Sequence, residues 1–216
     1  MGNGQAEVAN MEKILGKKIG MSQIFDEQGN VVPVTVVDVK NWIVTQVKMP
    51  QTDGYAAIQA GLVRNRYTGQ PYNAEWLKEK PTYFLHLKEI KVNDGDLGKY
   101  TVGQTLTMDM IPFNDGDMIA VIGTSRGLGF QGVVKRYGFA GGPKTHGSKF
   151  HRKPGSASHM RSQGEVIKGK RFPGHMGVEQ VTVKGLKLVR FDRDAGCLFI
   201  KGAVPGKKDS LVAIKK

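Results

Sequence analysis

The chain has 216 residues, with 32 Lys and Arg against 19 Asp and Glu, a net charge of +13 and a pI near 9.8. That excess points to a polyanion, either nucleic acid or an anionic membrane surface. No apolar run approaches about 18 residues and no basic amphipathic helix is evident, which argues against the membrane; the lone Cys197 excludes an internal disulfide and fits a reducing setting.

Residues 1–10 are polar and expected to be disordered, and Met11 is a possible second start. MGNGQAEVAN shows no charged segment leading into an apolar one, and Ala6 stands where N-myristoylation needs Ser or Thr, so a cytoplasmic protein is expected. KILGKKIGMSQIF, the turn EQGN and the β-branched run VVPVTVVDV predict a hairpin from about Ile19 to Val39. NWIVTQVKM and YAAIQAGLV alternate apolar and polar residues around the turn PQTDG and predict two more strands. NAEWLKEK predicts about two helical turns capped by Asn73 and stopped by Pro81, with Trp76 as a packing anchor.

FLHLKEI, YTVGQTLTMDMI and DMIAVIG read as short strands, and after a long interruption VEQVTVKGLKLVRFD, CLFIKGAV and SLVAIKK resume the pattern. The neighbours of Cys197 make it part of a packed strand and not a nucleophile. The expected fold is mainly β, a closed or partly open barrel from residues 11–122 and 178–216, interrupted by a basic Gly-rich extension over 123–177.

That extension differs from everything around it. It carries eleven Lys and Arg against the single acid Glu165, a net +10, while the rest of the chain contributes +3. It also holds 13 of the 29 glycines and four of the five histidines, and too few large apolar residues to offset the entropy of ordering it. Such a segment becomes ordered against folded nucleic acid. Lys and Arg neutralise phosphates, Gly and Ser admit a close sugar-phosphate surface, and His, Arg and Phe stack on unpaired bases. Doubled back on itself, it reaches at most about 85 Å.

Two other chemistries find little support. Gly127, Gly129 and Gly132 match GxGxxG after a strand, but the next segment, VVKRYGFAGG, is too short and Gly-broken for a crossover helix, and no acid stands about 20 residues on to bind a ribose. The histidines form no short His-x-x-His pair and no cysteine or paired carboxylate joins them, so no metal is expected. No nucleophile-base or carboxylate pair indicates an enzyme, and neither a cofactor nor a small-molecule substrate is implied.

The stretches KKIGMSQIF, VPVTVVDV, TVGQTL, IGTSRGLGFQGVVKRYGF, THGSKFHRKPGS, GKRFPGHMG and FIKGAVPG, in this order, resemble the bacterial form of the large-subunit ribosomal protein L-three family, over nearly all of 12–216. The resemblance implies a barrel related to those of translation factors, seated on the large ribosomal subunit, in the cytoplasm or in the matrix of a bacterial-type organelle. It implies a loop threading 23S-type rRNA toward the peptidyl transferase centre, early binding that nucleates subunit assembly, and neighbours of the L-fourteen and L-nineteen families.

The expected RNA contacts are Arg126, Lys135, Arg136, Lys144, Lys149, Arg152, Lys153, Arg161, Lys168, Lys170 and Arg171 on phosphates, together with His146, Phe150, His151, His159 and His175. Phe150, His151, His159 and Phe172 are the candidate stackers. By resemblance the loop tip comprises Pro154, Gly155, Ser156, Ala157, Ser158, His159, Met160, Arg161, Ser162, Gln163 and Gly164. His159 stands where some relatives carry a methylated glutamine, so that modification is not expected. RNRYTGQPYNAEWLKEKPTYFLHL also departs from the usual helical insertion.

Overall fold

The computed structural model describes Met11 and residues 13–106, 110, 113–158 and 164–216. In chain order it contains β1 (Ile14–Phe25), β2 (Val31–Asp38), β3 (Trp42–Lys48), α1 (Pro50–Asp53), β4 (Ala57–Val63), α2 (Lys80–Tyr83) and β5 (Phe84–Lys91). Then come β6 (Met118–Thr124), β7 (Gly129–Gln131), α3 (Val133–Tyr137), β8 (Gly174–Met176), β9 (Gln180–Asp192), β10 (Cys197–Lys201) and β11 (Leu211–Lys215). The chain divides into two compact units at Thr124/Ser125 and Glu179/Gln180.

In the first unit six antiparallel strands close a barrel in the order β1-β11-β6-β9-β10-β2. Alternation fills its interior. Leu198 and Ile200 on β10, Val212 and Ile214 on β11, and Ile119 and Val121 on β6 all point inward beside Ile14, Val37 and Leu188. Each such side chain contributes about 1.5–3 kcal/mol of burial. The one buried hydroxyl on β2, Thr35, donates to the Gly202 carbonyl at 2.6 Å, so it is not left unsatisfied.

The strands expected to complete this barrel do not all join it. β3, β4 and β5 form a separate three-stranded sheet with a core of its own. Leu15, next to the inward-facing Ile14, points to the opposite side of β1 and joins that second core with Trp42, Val44, Ile58 and Ile90. The sheet's other apolar cluster comprises Ile43, Val63, Phe84 and Trp76, with Trp76 stacked on Tyr83 at 5.3 Å between ring centroids. Trp76 is thus an anchor, 4% exposed.

Two local expectations are corrected. Ala74–Leu77 is a 3-10 helix whose cap is Asn73, accepting from Glu75 N at 3.1 Å. Pro81 does not stop it but sits in the first turn of α2, where its missing N–H costs nothing. Within YTVGQTLTMDMI no strand forms among the described residues. Gly103 takes φ +88° and its N–H turns to the Val44 carbonyl at 2.8 Å, leaving only an isolated bridge from Thr105 to Ile43.

Thr124 pairs with Gln180, so the arm enters between two strands that are barrel neighbours.

Candidate nucleic-acid interface

The second unit, Ser125–Glu179, is stitched at its base by backbone hydrogen bonds. Ser125 N–H donates to the Glu179 carbonyl at 2.8 Å, Val178 N–H to the Ser125 carbonyl at 3.3 Å, and Leu128 N–H to the Met176 carbonyl at 2.9 Å. β7 and β8 then pair antiparallel, Phe130 opposite His175. Gly177 closes the base at φ +84°, where any Cβ would collide with the Arg126 carbonyl oxygen.

This pairing absorbs the GxGxxG pattern. Gly129 opens β7, Gly132 only precedes the five-residue α3, and nothing here forms the strand-turn-helix cradle of a dinucleotide fold. Among the described residues no three His, Cys, Asp or Glu cluster as metal ligands. His146, His151 and His175 are exposed separately.

Beyond α3, which Gly138 terminates in a left-handed cap, the arm is held by a few specific contacts. Gly142 N–H donates to the His151 carbonyl at 2.6 Å, and Lys153 N–H to the Phe150 carbonyl at 3.0 Å. His146 and His151 themselves take φ of +57° and +45°. Such left-handed backbone costs a non-glycine residue about 1–2 kcal/mol. Phe150 is 41% exposed, yet its ring lies over Gly142, where a Cβ would sit 2.6 Å from its Cδ1. Part of its surface is therefore already committed within the arm.

The cations are arranged differently. Arg126, Lys135, Lys144, Lys149, Arg152, Lys153, Lys168, Lys170 and Arg171 are exposed, and among the described residues none of them meets a carboxylate. In the first unit, by contrast, Lys17 pairs with Asp209 at 2.9 Å, Lys48 with Glu89 at 2.7 Å and Lys216 with Asp117 at 2.8 Å. Arg136 is the exception within the arm. It is half-buried, donates to the Phe172 carbonyl at 2.8 Å and lies over the Tyr137 ring at 4.9 Å. In the arm without RNA, Arg136 therefore acts as a brace.

Val133 is the only fully buried residue among the described residues of the arm, so the segment has almost no core. Of the expected tip, Pro154 to Ser158 and Gly164 are described and Ala157 alone among them is half-buried. His159, Met160, Arg161, Ser162 and Gln163 lie outside the described residues. Three further aromatic residues, absent from the expected contacts, belong to this surface: Phe130, 76% exposed on β7, and Tyr137 and Phe139, whose rings lie 6.3 Å apart. Their signal was available, since aromatic side chains flanked by glycine in a charged loop have no core to enter.

The fold is that of a mainly β protein carrying one long, cationic, nearly core-less insertion. A family model described as Ribosomal protein L3 matches residues 69–197. A "Large ribosomal subunit protein uL3" of Ligilactobacillus salivarius is 46% identical over 204 residues, covering 94% of this chain and 96% of that one. One of Pelotomaculum thermopropionicum is 44% identical over 94% and 95% of the two chains, and one of Finegoldia magna 42% identical over 95% and 98%. The chain belongs to the ribosomal protein L3 family.

Proposed function

We propose that this chain is a structural constituent of the large ribosomal subunit, not an enzyme, and that it binds 23S-type rRNA directly through residues 125–179. The observation that supports this most is the set of nine exposed arm cations with no carboxylate partner among the described residues. A protein alone gains nothing from such an arrangement. Folded RNA supplies the missing counter-charge and the missing packing surface together.

On this reading Lys144, Lys149, Arg152, Lys153, Lys168 and Lys170 contact phosphates, and the tip, Pro154 to Gly164, reaches toward the peptidyl transferase centre. The protein binds early, nucleates folding of the subunit RNA, and sits beside proteins of the L-fourteen and L-nineteen families. Its location is the ribosome, in the cytoplasm or in a bacterial-type organelle matrix.

Sucrose-gradient fractionation of cells expressing a tagged chain tests this. The tag should sediment with large subunits and their precursors. Sedimentation wholly apart from them would overturn the assignment and leave a free-standing RNA chaperone. Depletion should accumulate an early large-subunit precursor, and accumulation of complete subunits lacking only this chain would contradict the assembly role.

A further inference from the structure

Within the arm lies a cleft of about 360 Å³, lined by Phe139, Gly155 and Ser156 of the outgoing limb and by Lys170, Arg171 and Phe172 of the returning one. Every one of these residues is at least partly open to solvent. Among the described residues no carboxylate lines it. Two half-exposed aromatic residues thus stand beside two exposed cations in a segment whose described residues include a single buried one, Val133.

The walls are held in place before any ligand arrives. Arg136 fixes the Phe172 carbonyl at 2.8 Å, and Arg171 lies over the Tyr137 ring at 5.4 Å, on which Arg136 also packs. Tyr137 in turn contacts Phe139 at 6.3 Å. The backbone at Phe172 and the Phe139 ring are thus tied to one another through a single cation-aromatic cluster. At Gly169, with φ +83°, a Cβ would meet nothing within 4 Å, whereas at Gly155, with φ +87°, it would touch the tip of the Phe150 ring at 3.7 Å.

We infer that this cleft receives one unstacked RNA nucleotide, its base against Phe139 and Phe172 and its phosphate at Lys170. The inference rests on the rRNA-binding reading above and sharpens it. The volume lies near the lower end of the range of about 300–1,000 Å³ for ligand pockets, which suits a single nucleotide. The aromatic walls suit a base of any identity, since every base offers a π-face. Apolar metabolites are disfavoured by the two cations, and free acidic peptides by the flat aromatic walls. Single-stranded bulges and loops are where RNA presents such a nucleotide.

The test uses the full chain and large-subunit rRNA transcripts, with an unrelated transcript of equal length as reference. Ultraviolet crosslinking followed by mass spectrometry should join one nucleotide to the Gly169–Phe172 peptide. A transcript made abasic at that nucleotide should bind wild type about 5- to 150-fold more weakly, the range expected for loss of one stacked base. Phe172→Ala should lose part of that factor against the intact transcript, since Phe139 remains, and nothing more against the abasic one. Phe172→Trp should retain affinity, which separates stacking from folding. Lys170→Ala should reduce the log-log salt slope by about one, whereas Phe172→Ala should leave it unchanged.

Selective rRNA binding with no crosslink in Gly169–Phe172, or with abasic and Phe172→Ala losses that multiply, overturns the cleft and leaves the proposed function standing. Equal binding of rRNA and the unrelated transcript by wild type overturns the proposed function itself.

Discussion

The Arg136 guanidinium donates to the carbonyl of Phe172, 36 residues away in sequence, at 2.8 Å. This bond joins α3 to the returning limb of the arm, and it passes through space that only Gly174 leaves open, since a Cβ there would lie 2.6 Å from Arg136 Nη1. A segment with one buried residue among those described thus has a defined shape at its waist because a charge is spent internally.

Arg136→Ala should loosen that waist. A hydrogen bond from a charged group contributes about 1.5–3 kcal/mol, so amide exchange at residues 172–176 should accelerate by an order of magnitude or more. Exchange in β10 and β11 should not change. Hydrogen-deuterium exchange of the free protein reads both regions at once, and unchanged protection at residues 172–176 would mean that the β7–β8 pairing holds the limb without Arg136.

Gly141 and Gly142 form a second fixed point. At Gly141, with φ +77°, a Cβ would lie 2.7 Å from the His151 carbonyl oxygen, and at Gly142 it would meet the Phe150 ring. Gly141→Ala carries about 1–2 kcal/mol of backbone strain and opens the Gly142–His151 hydrogen bond. If the arm must be pre-shaped to bind, rRNA affinity should fall by about 5- to 30-fold, with the thermal midpoint of the barrel unaltered. Wild-type affinity in Gly141→Ala would show that RNA reshapes this turn at no cost.

Much of the fold was legible because alternation reveals which side chains share a face: Leu198 and Ile200, or Val212 and Ile214, announce themselves. Alternation does not reveal which sheet a face packs against. Ile14 and Leu15 are adjacent and both buried, one in the barrel and one against the second sheet, and only tertiary structure separates them. Pro81 likewise reads as a stop or as a first-turn residue depending on where the next helix begins. In the arm, charge was visible residue by residue. The inward use of Arg136 and the seating of Phe150 on Gly142 were not, because irregular backbone has no period from which side-chain direction follows.

The second sheet should respond to pH through His86. This half-buried imidazole on β5 is held below its ordinary value of 6.5, chiefly by burial, with Lys88 and Lys17 adding repulsion. The unfolded chain therefore protonates first as pH falls. Stability is present in full above about pH 6.5 and declines as pH drops through that value toward the lower folded one. His86→Gln should flatten the fall in melting temperature between about pH 7.5 and 5.5. Identical profiles for both proteins would show that burial of this imidazole is relieved by local opening.

The salt dependence of binding separates exposed cations of the arm from cations tied within the protein. Lys144, Lys149 and Arg152 are exposed and meet no carboxylate among the described residues, whereas Lys48 is tied to Glu89 at 2.7 Å and to the Tyr55 hydroxyl at 2.7 Å. Each phosphate contact releases counterions and contributes about 0.7–0.9 to the log-log slope. The triple variant Lys144→Ala, Lys149→Ala, Arg152→Ala should flatten the slope by about two to three units, and Lys48→Ala should leave it unchanged. Arg136→Ala belongs between these cases: it should weaken binding through the loosened waist while changing the slope by well under one unit. A full unit lost at Arg136 would mean that this guanidinium leaves the Phe172 carbonyl for a phosphate on binding, so that the brace of the free arm becomes a ligand in the complex.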